Sequence, residues 1–352
     1  MIHFLLRRNF EYTVEDFLAQ AGSSIAERCR ILAYEDALSA GEFESGCYVF
    51  TDLERLSSDE RQQATQLRDR LTAQPDVTAL NHPTQTLTRY DLLRKLEEEG
   101  INSFKARRVT EPDLREVTFP VFLRREDNHY GPITPLIDSR SALMAEIARV
   151  RMNGYDLDKV IAIEFCDASD QGVFTKYGAY ILRDRIRPRN LRFSTDWVIR
   201  AGTAMDPRAV AQEMTYIREN PHAETIRRIA ALAGVEYGRI DYSMKDGRLQ
   251  VWEINTNPHV QWLPGRGEPL LAERHEREAR FLSEYCDFMM SLDHAPDRAI
   301  SIQPVLASPI PAPRVPLDKV DRSRFQARFA ARSYETQMRA ARFIRFLPWA
   351  RR

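Results

Sequence analysis

The residues with the clearest chemical content lie between Gly238 and Pro258, where Asp241, Glu253 and Asn255 carry side-chain oxygens within 15 positions. Asp246-Gly247 predicts a hairpin turn between two strands. Strand alternation puts Glu253 and Asn255 on one face, with Trp252 and Ile254 on the other. Register decides where Asp241 falls. A two-residue turn at Asp246-Gly247 pairs it with Trp252, away from the other two. A three-residue loop over Asp246 to Arg248 pairs it with Glu253, so that all three oxygen-bearing side chains share a face, and Gly247 makes such a bulged loop feasible. Directly opposed carboxylates repel, so this second register needs a cation. Oxygen ligands of these types suit Mg²⁺, which takes one or two carboxylates and completes its shell with water and phosphate oxygens. A solvated hairpin with polar residues outward is the competing reading. The continuation Asn255-Thr256-Asn257-Pro258 is an odd way to extend a purely structural strand, and it favours the metal.

Cations of matching character occur upstream. Lys176 opens a predicted strand ending at Leu182, and Arg185-Ile186-Arg187-Pro188-Arg189 follows across a short turn. Alternation groups Arg185, Arg187 and Arg189 on one face, where three like charges call for an anion such as a phosphate. Arg187 and Arg189 are the expected phosphate or substrate ligands; a solvated, charge-protected edge strand is the alternative.

These groups must be positioned by two kinds of chain. Residues 1 to about 105 alternate strand and helix: strands at Ile2 to Leu6, Cys47 to Phe50 and Val77 to Leu80, helices at Ile25 to Leu38, Asp59 to Ala73 and Arg89 to Glu99, the last ended by Gly100. That texture predicts an α/β layer with a mostly parallel sheet. From about residue 118 the strands crowd together in an α+β pattern: Phe119 to Leu123, Val160 to Cys166, Lys176 to Leu182, Arg185 to Phe193, Gly238 to Met244 and Leu249 to Asn255. Helices are expected at Ser141 to Arg151, Pro207 to Glu219, Ala223 to Ala233 and Leu270 to Leu292. Residues 303 to 316 hold five prolines, a linker composition.

The hairpin, with Ile240-Asp241 followed by Trp252-Glu253-Ile254-Asn255-Thr256-Asn257-Pro258, resembles the metal-binding hairpin of ATP-grasp enzymes, a superfamily that includes glutathione synthetases, D-alanine–D-alanine ligases and ribosomal-protein glutamate ligases. The resemblance implies that Asp241, Glu253 and Asn255 carry two Mg²⁺ ions bridging the phosphates of ATP. Asn81-His82-Pro83, Arg89 to Leu96 and Gly100 to Phe104 look like the segment preceding the ATP-grasp domain in those ligases. Phe119 to Arg124 is similar to a strand that usually ends in a phosphate-contacting lysine, and here Arg124 (or Arg125) provides a permanent bidentate cation instead. Arg125 to Pro132 takes the place of the mobile loop over the phosphates, with one glycine; His129 in it is read as a surface or structural histidine. Ile161 to Asp167 looks like the hinge against which adenine sits, through Glu164, Phe165, Cys166 and Asp167, with Asp170 near the ribose hydroxyls and Lys176 on the nucleotide. A plain core strand is the competing reading of that hinge.

The architecture so implied is an α/β and α+β ATP-grasp fold. Its parts are a pre-ATP-grasp α/β domain (1–105), a small subdomain with the adenine hinge (106–180), a C-terminal subdomain with the Mg-binding hairpin (181–297), a proline-rich linker (298–320) and a basic amphipathic helix (321–352). The implied reaction is ATP-dependent carboxylate–amine ligation through an acyl phosphate, releasing ADP and phosphate, on small-molecule or peptide substrates. Arg124, Lys176, Arg187 and Arg189 would hold phosphate and carboxylate oxygens. The alternatives are a small-molecule phosphotransferase of the same superfamily and a non-catalytic nucleotide-binding module.

Composition narrows the partners. The chain has 352 residues with 51 Lys+Arg against 51 Asp+Glu, which argues against a nucleic-acid binder. Yet Asp321 to Arg352 carries nine arginines and two acids, so the remainder holds 42 basic and 49 acidic residues. The zero is a cancellation between an acidic body and a basic tail. With its phenylalanines beside the arginines, the tail helix suits packing on the body, a homo-oligomer contact or another anionic partner. No apolar stretch reaches transmembrane length, the apolar part of Met1 to Arg8 is too short for a signal peptide, and four dispersed cysteines indicate no disulfide framework, so a cytoplasmic protein is expected.

Overall fold

The computed structural model describes residues 1–21, 23–199, 207–260, 272–294 and 296–311. The expected helix over 321–352 lies outside the described residues. The first unit runs β1 (Ile2–Leu6), α1 (Tyr12–Ala21), α2 (Ser23–Ala26), β2 (Cys29–Ala33), α3 (Tyr34–Ala37), β3 (Glu42–Glu44), β4 (Gly46–Phe50), α4 (Ser58–Thr72), β5 (Val77–Leu80) and α5 (Arg89–Glu98). Its sheet has the order β2-β1-β4-β5, all parallel. Both β1 and β4 are buried along their whole length, as near-continuous apolar strands in a parallel sheet must be. The single helix expected over Ile25 to Leu38 is instead a short helix, a strand and another short helix. Cys29 to Ala33 pairs residue by residue with Ile2 to Leu6; a brief apolar run carries no periodicity that separates strand from helix.

Gly46 begins β4 at φ +145°, and a Cβ there would lie 2.2 Å from the carbonyl oxygen of Met1. Neither atom belongs to a flexible side chain, so Gly46→Ala must displace the β1–β4 pairing. The expected result is a loss of several kcal/mol, on the order of 3 or more, read as a lower denaturation midpoint.

The second unit contains β6 (Ala106–Arg108), β7 (Val121–Arg125), α6 (Arg140–Met152) and β8 (Val160–Glu164), with sheet order β6-β8-β7, antiparallel. The third contains β9 (Ser169–Asp170), β10 (Val173–Leu182), β11 (Arg185–Ser194), α7 (Pro207–Glu219), α8 (Ala223–Ala233), β12 (Tyr237–Lys245), β13 (Arg248–Asn255) and α9 (Ala272–Leu292). Its antiparallel sheet follows β11-β10-β12-β13, with β9 pairing β10. The α/β and α+β halves expected from sequence are both present. The third unit is not separate from the first: Phe281, Tyr285, Phe288 and Met289 of α9 share one core with Ile2, Phe4, Cys47 and Val49.

The chain then returns to the first unit. β14 (Ala299–Ser301) pairs antiparallel with β3, and the residues beyond it stay docked. Ile302, Leu306 and Ile310 donate their amides to the carbonyls of Gly41 (2.9 Å), Leu38 (2.8 Å) and Glu35 (3.2 Å). Where linker composition predicts a spacer over 298–320, the described part is thus a strap. Proline supplies no amide, so the strap bonds only through the residues between its prolines. No helix of the described residues is long and apolar enough to cross a membrane.

Candidate active site

The β12–β13 hairpin resolves the register question in an unforeseen way. Lys245 pairs with Arg248 across a two-residue turn, with Asp246 at φ 50° and Gly247 at φ 73°, the backbone of a type I′ turn. That register continues as far as Tyr242↔Val251. A β-bulge then makes Trp252 the extra residue, and Asp241 pairs with Glu253. The opposed carboxylates therefore arise from a bulge at Trp252 and not from a three-residue loop. The bulge also cancels the expected division of faces, since Trp252 and Glu253 both line the same cavity.

That cavity has a volume of about 580 Å³. Phe122, Phe165, Cys166, Phe174 and Trp197 line an apolar end. Lys176, Arg192, Arg239, Asp241, Glu253 and Asn255 line a charged floor, and Tyr12, Thr13, Arg55, Asn257 and His259 lie at the far end.

Two buried carboxylates organise the floor. Asp241 accepts from Arg239 Nε (2.8 Å) and Nη2 (2.9 Å) and from Lys176 Nζ (3.0 Å). Burial pushes its carboxyl up, but Arg239 and Lys176 outweigh burial and hold it well below the usual range. Glu253 Oε2 accepts from Arg89 Nη2 and from Arg124 Nη2 (3.1 Å), with His129 Nδ1 at 3.6 Å. Again burial acts upward and is overcome by Arg89, His129 and Arg124, leaving Glu253 ionised far below its ordinary range. Arg124 itself is pulled down to about 10, first by burial and then by the neighbouring Arg89.

Arg89 ties this floor to the loop after β7. Its Nη1 donates to the carbonyls of Arg125 (3.1 Å), Glu126 (2.9 Å) and Asn128 (2.5 Å), and Nη2 also meets His129 Nδ1 at 3.1 Å. His129 Nε2 lies 2.7 Å from Glu54 Oε1, and Glu54 Oε2 accepts from Thr256 Oγ1 at 2.6 Å. The loop expected to be a mobile cover is here pinned by one arginine, and His129 is no bare surface residue.

In donor type, Asp241, Glu253 and Asn255 fit Mg²⁺: two carboxylates and an amide oxygen, with none of the described hydrogen bonds engaging Glu253 Oε1. Asn255 Oδ1 accepts the amide of Asn257 at 2.8 Å and has a second lone pair. Among the described residues no group of three or more His, Cys, Asp or Glu side chains is placed to hold a metal ion.

The cavity also brings in Arg124, Phe165, Cys166 and Lys176 of the residues expected from sequence. Glu164, Asp167, Asp170, Arg187 and Arg189 do not line it. The Glu164 carboxylate accepts from the amides of Lys105 (2.9 Å) and Thr118 (2.6 Å). Asp167 accepts from the amide and hydroxyl of Ser169 (3.0 and 2.7 Å), which lower its pKa. Asp170 is exposed in β9. Arg187 Nε sits 3.2 Å from Glu284, and Arg189 pairs with Glu278 with its guanidinium 4.3 Å from the Phe281 ring centroid. The anions these arginines call for are carboxylates of α9. A second bulge lies in this strand: Gly178 pairs with Asn190 and Ala179 with Pro188, so Arg189 is the extra residue, and beyond it Arg192 joins the face of Arg185 and Arg187. Arg192, opposite Lys176, is the β11 cation that lines the cavity. Arg239 could have been found from sequence, since it stands two residues before Asp241 on one strand. Arg89 and Glu54 carried no such signal.

No protein-family model matches the sequence, and no curated protein matches it. Among solved structures the chain is similar to ATP-grasp ligases. One is the D-alanine–D-alanine ligase of Bacillus anthracis complexed with ATP, at 12% identity over 83% of this chain and 96% of that one, TM-score 0.48. Others are a RimK domain ATP-grasp protein of Sphaerobacter thermophilus (16%, 82% and 100%, TM-score 0.45) and the ATP-grasp ligase PsnB with a precursor variant, Mg and ADP (11%, 83% and 96%, TM-score 0.48).

Proposed function

We propose that the chain is an ATP-grasp carboxylate–amine ligase, binding ATP and Mg²⁺ in the 580 Å³ cavity and passing through an acyl phosphate. The observation that carries this reading is the bulged hairpin. It opposes two ionised carboxylates among guanidinium and ammonium groups, at the floor of a cavity with one aromatic end.

In this reading Phe122, Phe165 and Trp197 enclose the adenine, and the main chain at Cys166 meets its edge. Asp241, Glu253 and Asn255 would hold Mg²⁺, which would offset the negative charge of the phosphates. Arg124 and Lys176 hold the transferred phosphoryl oxygens, while Arg239 fixes the Asp241 carboxylate by a two-point contact. The protein supplies positioning and charge, not a nucleophile. Arg187 and Arg189, bound to Glu284 and Glu278, take no part in it.

Titration of the full chain with ATP, with and without Mg²⁺, tests the nucleotide site. Lys176→Met is expected to weaken Mg·ATP binding about tenfold or more, the loss of one charge-assisted contact; unchanged affinity would remove Lys176 from the site. ADP release that requires both a carboxylate and an amine identifies ligation. A stable phosphorylated product with ADP identifies phosphotransfer instead.

A further inference from the structure

The carboxylates of the cavity floor already have counter-ions within the chain. Both oxygens of Asp241 are engaged, by Arg239 and Lys176, and Glu253 Oε2 meets Arg89 and Arg124 together. Four cations thus face two carboxylates, a local surplus of two positive charges among largely buried groups. Mg²⁺ binds a carboxylate oxygen at about 2.1 Å. Even on Glu253 Oε1 it would stand within about 5 Å of both guanidinium groups, in surroundings that screen charge poorly. The floor as built opposes a lone divalent cation and attracts a polyanion.

The same two arginines hold the loop after β7. Besides the three carbonyls bonded by Arg89, Arg124 Nη2 donates to the Asn128 carbonyl at 3.4 Å. Arg89 is 5% and Arg124 9% exposed, and each keeps a buried Nε with no described partner. Buried N–H groups are seldom left unmet, and a phosphate offers several acceptor oxygens at once. One pair of guanidinium groups therefore joins Glu253 to the loop, and His129 extends the link to Glu54 of the first unit.

We infer that Arg89 and Arg124 are an internal counter-ion that withholds Glu253 from metal until an anionic nucleotide arrives. The inference rests on the nucleotide site of the reading above. Phosphate oxygens draw the two guanidinium groups off Glu253. That leaves a carboxylate short of counter-charge beside newly added negative charge, and only then does the floor attract a divalent cation. Nucleotide therefore binds first and metal second. The same movement takes Arg89 from the carbonyls of Arg125, Glu126 and Asn128, so the anion frees the loop. The trigger is charge, and a polyanion without a base suffices for it.

Three measurements on the full chain decide the matter. Mn²⁺, followed by its paramagnetic resonance, reports the metal, and calorimetry reports ADP. ADP is expected to bind in EDTA, and Mn²⁺ is expected to bind about 100-fold or more tightly once ADP is present; by linkage the same factor tightens ADP when Mn²⁺ is added. Mn²⁺ that binds equally well alone, or ADP that binds only with Mn²⁺, overturns the order. Amide exchange in residues 126–130 is expected to accelerate with pyrophosphate in EDTA and to stay unchanged with Mn²⁺ alone. Acceleration by Mn²⁺ alone, or none by pyrophosphate, overturns the link to the loop. Arg124→Gln is expected to tighten Mn²⁺ binding without nucleotide about tenfold and to weaken ADP in EDTA about tenfold. Weaker ADP with unchanged Mn²⁺ would make Arg124 a phosphate ligand only and overturn its counter-ion role. The first two measurements need no substitution. Loop release by pyrophosphate with no binding of ADP in any condition supports the anion trigger and counts against the nucleotide reading, so the two failures are distinguishable.

Discussion

Glu253→Ala is expected to abolish ATP turnover, by about 1,000-fold or more, and to lower the stability of the chain by about 3–5 kcal/mol. Both effects come from the same place. Glu253 neutralises Arg89 and Arg124, which are buried, and faces His129. Without the carboxylate those guanidinium groups remain desolvated and unpaired, and a proposed metal ligand is lost. Glu253→Gln separates the two consequences. It keeps the shape and an acceptor oxygen, so more of the stability is retained while turnover is still lost. Acid supplies an independent check. The pKa of Glu253 is lowered by folding, so its contribution is complete above the unfolded value and drains away as pH falls. Glu54 behaves alike: burial acts upward, but His129, Arg55 and Thr256 bring it from 4.5 to about 2. Its contribution is thus lost between those two pH values. The difference in denaturant midpoint between the unaltered chain and Glu253→Gln should hold from pH 7 down to pH 5 and narrow progressively as pH falls below the ordinary glutamate value of 4.5. A constant difference would show that the carboxylate charge is not what holds the floor together.

Arg89→Met is the second large effect. This guanidinium serves three loop carbonyls, His129 and Glu253 together. Its loss leaves acceptors unmet and Glu253 short of a counter-charge, so a fall in thermal midpoint on the order of 5–10 °C is expected. Amide exchange in residues 126–130 should accelerate while α4 and α5 stay protected. Arg89→Lys should rescue little, because a single ammonium cannot span the same acceptors as a planar fork. If the loop exchanged at its original rate in Arg89→Met, its order would have to come from elsewhere.

The hairpin was legible because its cues are local: a turn dipeptide, alternation and an unusual strand ending. The strands and helices around it were legible for the same reason. What alternation does not encode is a bulge. Trp252 and Arg189 are each the extra residue of one, and at each the assignment of faces changed. The arrival of Arg192 and of Trp252 in the cavity follows directly. Contributions from a distant part of the chain were invisible: Arg89 is 164 positions from Glu253, and Glu54 is 202 from Thr256. The strap was misread because proline-rich composition describes how the chain bends and says nothing about what it docks on.

That strap, with α9, has a consequence for the order in which the molecule can be made. The strands of the first sheet are complete at Leu80, yet α9, which packs on one face, begins at Ala272, and β14 follows at Ala299. At about 5–20 residues per second, synthesis takes on the order of 10–40 s to deliver those covers. Through that interval Phe4 and Val49 lack α9, and Phe43 and Tyr48 lack Ile300 and Ile302. The nascent sheet therefore leaves those apolar faces uncovered until nearly the whole described chain has emerged. Cutting the chain after the first unit would make that temporary exposure permanent.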